Sequence, residues 1–407
     1  MRRFERFVSL RYLFNRDRKA LVTAITGIAM AAVAVGVAAL IIVMGVMEGA
    51  EKELFGKVIA IYPHLTVRGA FEEALDDPTP VMEAVQTLDG VAFAQPVLRE
   101  QALFAPALGL TGELGAGVML AVPDLGSAPL MGLGDRLRAT AAELEDHEVL
   151  LGADLAERLG VSSGDRILLI AGFTPATAAR REPSLALRVA GTFKTGYYLF
   201  DASTALVTLA TGRRAVGEGA GLSYVQVNFD DPFRAREAGR RLRRALGPQY
   251  HVQTWEDEQG PFFEQIRLQK AMLFLILMLI VIVAGFNVIG TLILMVIDKT
   301  REIGILKAFG CSPGMIRTVF VQAGGLIGLM GTTLGLALGL TGCWLLKHVI
   351  RFEMPPSVYN FETLPVVVRA STTGLIVVCA LSVSLLAALF PAAQAARLDP
   401  VEVLRHE

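Results

Sequence analysis

The sequence predicts an integral membrane protein with four transmembrane α-helices and a large α+β extracytoplasmic domain between the first and second helices. Three observations predict it. Four long apolar runs have cores free of charge, one long polar stretch separates the first from the rest, and basic residues cluster on one side of the runs.

The runs extend from Ala20 to about Met47, Ala271 to Ile297, about Val319 to Leu346, and about Ser371 to Ala396. Each covers the roughly 20 residues that cross a bilayer core. Composition agrees: 53% of the 407 residues are hydrophobic and only 19% charged, where soluble domains carry about a quarter. The first run is about twice as long as the apolar stretch of a cleaved signal peptide, so a retained anchor is expected.

Charge sets the orientation. Residues 1–19 hold Arg2, Arg3, Arg6, Arg11, Arg16, Arg18 and Lys19, the loop after the second run holds Lys299, Arg301, Lys307 and Arg317, and the tail adds Arg397 and Arg405. Positive-inside counting places all three in the cytoplasm. Lys347, Arg351 and Arg369 in the short outer loop oppose the rule without outweighing it. The expected order is a cytoplasmic segment 1–19, helix 20–48, outer domain 49–268 and helix 269–297. A coupling segment 298–318, helix 319–346, outer loop 347–370, helix 371–396 and cytoplasmic tail 397–407 complete it.

Within the outer domain, β-rich runs at Leu65–Val67, Val91–Val97, Val118–Val122, Ile167–Ala171, Leu185–Phe193, Ala205–Leu209 and Tyr224–Phe229 alternate with helical stretches. The helices fall at Pro80–Leu88, Ala153–Leu159 and the arginine-rich Pro232–Leu246. Two subdomains, one inserted in the other, are expected. Cys311, Cys343 and Cys379 all lie outside this stretch, which excludes a disulfide framework there.

Catalytic motifs fail one by one. Gly56-Lys57 lacks the remainder of a phosphate-binding loop. Gly160-Val161-Ser162-Ser163-Gly164 matches a nucleophile elbow in letters, but sits between a helix and a strand instead of a strand and a helix. The five histidines have no metal-ligand spacing. A net charge of −1 argues against nucleic acid. No ionisable residue lies in the four cores, and Asn287 is read as an interhelical hydrogen-bonding group.

The loop after the second run is more informative. Arg301, Glu302, Ile303, Gly304, Ile305, Leu306, Lys307, Ala308 and Phe309 read as a short amphipathic helix with Ile305, Leu306 and Phe309 as its apolar stripe. Gly310 suits the position after its end, and Ser312-Pro313 starts another helix. Such a knob either docks a soluble partner or lies on lipid. Asp399-Pro400-Val401-Glu402 reads as a capping box for a short terminal helix.

These residues resemble the FtsX/MacB-type ABC permeases, and within them the LolC/LolE lipoprotein-releasing permeases. The likeness rests on the order of spans, on Met47–Leu54 with Ile61-Tyr62-Pro63-His64, on Gly191–Tyr197, on Phe286-Asn287, on Arg301–Gly310 and on Pro391–Glu407. The resemblance implies a multi-pass subunit of the bacterial inner membrane, without a cofactor or catalytic residues of its own. ATP would be used by two copies of a separate LolD-like ATPase. A second permease subunit, either a sister chain or a second copy, and a LolA-like periplasmic carrier would complete the system. Lipoproteins would be lifted from the outer leaflet and handed to that carrier.

Site residues follow from the same resemblance. Arg301, Glu302, Ile303, Gly304, Ile305, Leu306, Lys307 and Phe309 would couple to the ATPase. Residues 172–184, with Phe173, Pro175, Arg180, Arg181, Glu182 and Pro183, would form a hook for the carrier, or else an ordinary solvated loop. Val43, Met47, Ile282 and Phe286 are expected near a lipoprotein cavity. The alternatives are a MacB-like exporter, which normally carries its ATPase in the same chain, and an FtsX-like subunit signalling to cell-wall hydrolases. The latter has a smaller outer domain.

Overall fold

The computed structural model describes residues 20–70, 74–107, 113–123, 144–171, 184–217, 220–350 and 364–398. They fall into two compact units, one of long helices and one spanning Lys52–Gln265. The first half of the chain runs α1 (Ala20–Ile61), β1 (Leu65–Gly69), α2 (Thr79–Gln86), β2 (Val91–Pro106), β3 (Gly115–Val122), β4 (Glu148–Gly152), α3 (Ala153–Leu159), β5 (Arg166–Ala171) and β6 (Leu185–Phe193). Next come α4 (Tyr198–Asp201), β7 (Thr204–Thr208), α5 (Leu209–Val216), β8 (Tyr224–Phe229), α6 (Ala235–Leu246) and β9 (Tyr250–Thr254). The chain then continues through α7 (Trp255–Asp298), α8 (Thr300–Ala308), α9 (Pro313–His348) and α10 (Ala370–Arg397).

Helices α1, α7, α9 and α10 are long and apolar enough to cross a membrane. Two of them overrun the bounds expected from hydropathy. Helix α1 continues to Ile61 because nothing breaks it before Pro63. Helix α7 starts at Trp255 because Thr254 and Asp257 cap it reciprocally. The Asp257 N–H donates to Thr254 Oγ1 at 3.3 Å, and the Thr254 N–H to Asp257 Oδ2 at 3.0 Å.

In the helix unit, α9 packs by what it lacks. A Cβ at Gly335 would stand 2.6 Å from the Ala34 carbonyl oxygen of α1, and one at Gly331 or Gly339 would stand 2.9 Å from the Cβ of Val33 or Ile41. On the α10 side, a Cβ at Gly324 would lie 2.4 Å from Ala388 Cβ, and one at Gly328 2.3 Å from Ser384 Cβ. Small residues at four-residue spacing let backbones approach, which is how helices associate where lipid leaves little hydrophobic driving force.

The outer domain is built on β2, whose 16 residues serve two sheets. Its second half pairs with β3 and β5, and the pairings β3–β7, β7–β4, β4–β6 and β6–β5 close a six-stranded barrel. Closure leaves no free edge. Its first half joins the antiparallel sheet β2-β8-β1-β9. The barrel is therefore inserted between strands of that sheet. Phe104, Met119, Leu151 and Leu169 share its inner face by register, each almost fully buried. Gly239 lets α6 lie close on the sheet, since a Cβ there would be 3.1 Å from Thr254 Cγ2 and 3.3 Å from Leu65 Cδ1.

The Gly160–Gly164 segment is a helix stop and turn. Gly160 ends α3 at φ 65°, Gly164 has φ 96°, and the Ser162 N–H donates to Asp165 Oδ2 at 2.7 Å. Ser163 Oγ is occupied with the Ala190 carbonyl oxygen at 2.9 Å, so no nucleophile is on offer. Asn287 departs from expectation. It sits on the exposed face of α7 and engages only its carbonyl, which accepts from Thr291 Oγ1 at 2.8 Å. Its position one residue before buried Val288 turns it away from the neighbouring helices.

Candidate functional site

The short helix α8 presents two faces. Ile303 and Gly304 are buried, and Ile303 belongs to the core of the helix unit. Ile305 is 40% exposed and Phe309 86% exposed, so these two are the outward apolar knob, with Leu306 half-buried beside them. Arg301 and Glu302 are also exposed, and Lys299 Nζ reaches Glu302 Oε1 at 2.5 Å.

Lys307 has a different task. Its ammonium donates to the carbonyl oxygens of Ala396 at 2.7 Å and Leu398 at 2.5 Å. It thereby satisfies carbonyls at the end of α10 that have no helical partner. After Gly310, at φ 90°, Ser312 Oγ accepts the Met315 N–H at 3.3 Å and Pro313 takes the first turn of α9. The break between α8 and α9 is thus capped on both sides, which holds Phe309 out as a fixed projection.

Three other stretches that carried the family resemblance turn out to be anchors. In Met47–Leu54, Glu48 is 1% exposed, accepts from the Thr372 hydroxyl in the first turn of α10, and faces Lys270 Nζ of α7 at 3.4 Å. Glu51 shares the same ammonium at 3.0 Å. Gly49 beside it is required by the approach of Pro365, whose carbonyl oxygen would be 2.2 Å from a Cβ. This ionic cluster ties three helices, and hydropathy did not reveal it because Glu48 falls one residue beyond the apolar run.

His64 is the second anchor. Its Nδ1 accepts the Phe229 N–H at 3.0 Å, its Nε2 lies 3.3 Å from the Ile59 carbonyl, and its own carbonyl accepts from Trp255 N–H at 3.0 Å. Burial pushes its pKa below the usual imidazole value. The third is the turn Thr195-Gly196-Tyr197, which wraps the buried carboxylate of Asp201. The Thr195 and Gly196 N–H groups donate to it at 2.9–3.0 Å and Thr195 Oγ1 at 2.7 Å. Gly196 has φ 77°, a conformation that favours glycine.

The remaining predicted residues are distributed as follows. Val43 and Met47 are half-buried on α1, while Ile282 and Phe286 point outward from α7, at 40% and 64% exposure, in a stripe with Leu279 and Val283. Phe173, Pro175, Arg180, Arg181, Glu182 and Pro183 lie outside the described residues, as does the tail helix expected from Asp399 onward. The strands that flank the hook segment, β5 and β6, are antiparallel neighbours with Leu169 opposite Leu185.

Four membrane-competent helices, a β-barrel domain inserted after the first, and a capped apolar projection after the second define a permease subunit. Residues 274–400 match the family described as FtsX-like permease C-terminal, and residues 26–245 match the MacB-like periplasmic core domain. Among relatives, the chain is 30% identical to the lipoprotein-releasing system transmembrane protein LolC of Neisseria meningitidis serogroup B, over 99% of both chains. It is 28% identical to LolC of Xylella fastidiosa over 98% of each chain, and 26% identical to LolE of Haemophilus influenzae, again over 98% of each. The chain belongs to the LolC/LolE family of ABC transporter permeases.

Proposed function

We propose that this chain is the permease subunit of a transporter that releases lipoproteins from the outer leaflet of the bacterial inner membrane. The observation that carries the reading is the match to LolC along essentially the whole chain. The physics requires such a machine. A lipid anchor buries tens of methylenes at about 0.8 kcal/mol each, so extraction needs an external energy source. In this reading a separate ATPase chain supplies it.

In this reading the ATPase docks on α8, with Ile305 and Phe309 entering a groove on its surface and Leu306 at the rim. The termini and α8 lie in the cytoplasm, as the basic flanks favour, and the domain Lys52–Gln265 lies in the periplasm. Residues 172–184, carried between β5 and β6, grip a periplasmic carrier. Val43 and Met47 with the outward stripe of α7 at Ile282 and Phe286 offer the apolar surface that receives the acyl chains, completed by a second permease subunit.

The test is lipoprotein release from proteoliposomes containing the chain and its co-purified partners, with carrier and ATP added. Phe309→Asp should abolish release, because a carboxylate buried in an apolar groove costs several kcal/mol. Release at the wild-type rate by this variant would remove α8 as the coupling element. Replacing Phe173–Pro183 with a Gly/Ser turn should abolish carrier capture and leave ATP hydrolysis intact. Unchanged capture would remove the hook.

A further inference from the structure

The outer domain holds a cavity of about 90 Å³ against one face of the β2-β8-β1-β9 sheet. Thr66 of β1 pairs with Gln226 of β8, and Gln226 with Gln95 of β2. Side chains two residues apart share a face, so Thr66 and Arg68 stand beside Tyr224, Gln226 and Asn228. This face is short of partners. Among the described residues, Thr66 Oγ1 and Arg68 Nε, of residues that line the cavity, are buried without a hydrogen bond, as are Gln226 Nε2 and both polar atoms of the Gln95 and Asn228 side chains elsewhere on the sheet. Buried polar atoms are almost always satisfied, by protein, water or ligand.

The walls decide the sign of the occupant. Arg68 and Arg99 face one carboxylate, Glu258, whose Oε1 is 3.9 Å from Arg68 Nη2, too far for a hydrogen bond. The Arg68 guanidinium is steadied 5.5 Å above the Tyr224 ring. The backbone of Arg99 is pinned by Ser223 Oγ, at 2.8 Å from its N–H and 3.0 Å from its carbonyl. Burial pushes the hydroxyls of Tyr62 and Tyr224 up to about 12, so both keep their protons and can donate. The lining therefore offers a surplus of donors and of positive charge.

Size and polarity narrow the class. A water takes about 30 Å³ and drug-sized ligands about 300 Å³ or more, so the cavity suits a group of a few heavy atoms. Ile61, Leu120, Leu199 and Phe200 add apolar lining to the same cavity, with Leu120 paired across the strands with Arg99. An inorganic oxyanion would leave those side chains unsatisfied, whereas a carboxylate with an alkyl body matches both kinds of lining.

We propose that this cavity binds a carboxylate on a short alkyl body, held by Arg68 and Arg99 with Tyr62, Tyr224 and Thr66 donating hydrogen bonds. The source is either a free small carboxylate or the acidic side chain of a peptide. The site does not depend on the transport reading, and its test uses no transport assay.

The full-length chain in detergent is titrated by calorimetry with propionate, with the tripeptide acetyl-Ala-Glu-Ala-amide, and with inorganic phosphate. Saturable binding of propionate or of the tripeptide is expected, with phosphate unable to displace either. Binding of the tripeptide alone assigns the site to peptide side chains, and binding of propionate shows that a free carboxylate suffices. Arg99→Met, on an exposed side chain, should weaken binding at least tenfold while the melting temperature stays unchanged. Tyr224→Phe should weaken it less. The proposal is overturned if neither carboxylate saturates, if phosphate displaces them, or if a folded Arg99→Met variant binds as the wild type does.

Discussion

In the helix unit the closest contacts are made where side chains are missing, and in the outer domain where they are largest. Gly335 of α9 could not carry a methyl group without meeting the Ala34 carbonyl at 2.6 Å. Phe104, on the inner face of the barrel, and Phe193, packed with Leu150, Leu206 and Tyr224, are by contrast fully buried rings. The difference follows from the solvent. Water drives large apolar groups inward at about 25 cal/mol per Å², whereas lipid is as apolar as leucine and helices gain mostly from close backbone approach. The same contrast explains the polar groups. The helix unit buries the Glu48–Lys270–Glu51 cluster where three helices meet, while the outer domain uses a buried carboxylate, Asp201, to close a turn.

This comparison can be broken by substitution. Phe193→Ala should cost the outer domain about 4 kcal/mol, whereas Phe286→Ala on the outward face of α7 should leave unfolding in detergent within about 0.5 kcal/mol of wild type. Chemical denaturation followed by tryptophan fluorescence measures both. Equal losses would show that the two regions pack by the same rule.

Gly335→Val should cost about 3 kcal/mol by overpacking α9 against α1, and Gly290→Val, where a Cβ would meet nothing within 4 Å, should cost far less. A thermal shift assay on the purified chain compares them. Next in size is Lys307→Met, which should cost about 1 kcal/mol by uncapping α10. Phe309→Asp, on a residue 86% exposed, should leave stability unchanged. Together they separate the structural from the docking face of α8. If Lys307→Met melts as the wild type does, its carbonyl contacts add nothing to the fold.

The smallest effect is a pH dependence at His64. Burial holds its folded pKa below the unfolded value, so the unfolded chain binds more protons and stability rises with pH. The contribution is full above the ordinary imidazole pKa of about 6.5 and is lost as pH falls through that value toward the lower folded one. Denaturation midpoints between pH 8 and pH 5 should fall, and His64→Asn should flatten that part of the profile. An unchanged slope in the variant would assign the pH dependence elsewhere.

Several elements were readable because their signals are local. Leu185–Phe193, Ala153–Leu159 and Tyr224–Phe229 match their predicted bounds, since alternation, a stop glycine and a β-branched run each act within a few residues. The expected α8 break, with Gly310 and Ser312-Pro313, is local in the same sense. Other elements were not readable. Strand β4 is buried at all five positions and so shows no alternation, and β9 mixes His251 and Gln253 into a short strand defined by its pairing with β1. The Lys307 cap joins residues 89 and 91 positions apart, beyond the reach of any pattern.

By itself the sequence determined the number of long apolar helices, the placement of the large domain after the first, the absence of a phosphate-binding loop, and an apolar stripe after the second helix. These depend on composition and short-range period, which the chain carries along its length. Tertiary structure alone decided that β2 is shared between a barrel and a sheet, that glycines of α9 face both α1 and α10, and that Glu48 is buried against Lys270 and Thr372. It also decided that Lys307 caps α10 while Phe309 projects. Each of these depends on which distant segment arrives beside a residue, and backbone approach, cross-strand register and shared burial come into being only when the chain has closed on itself.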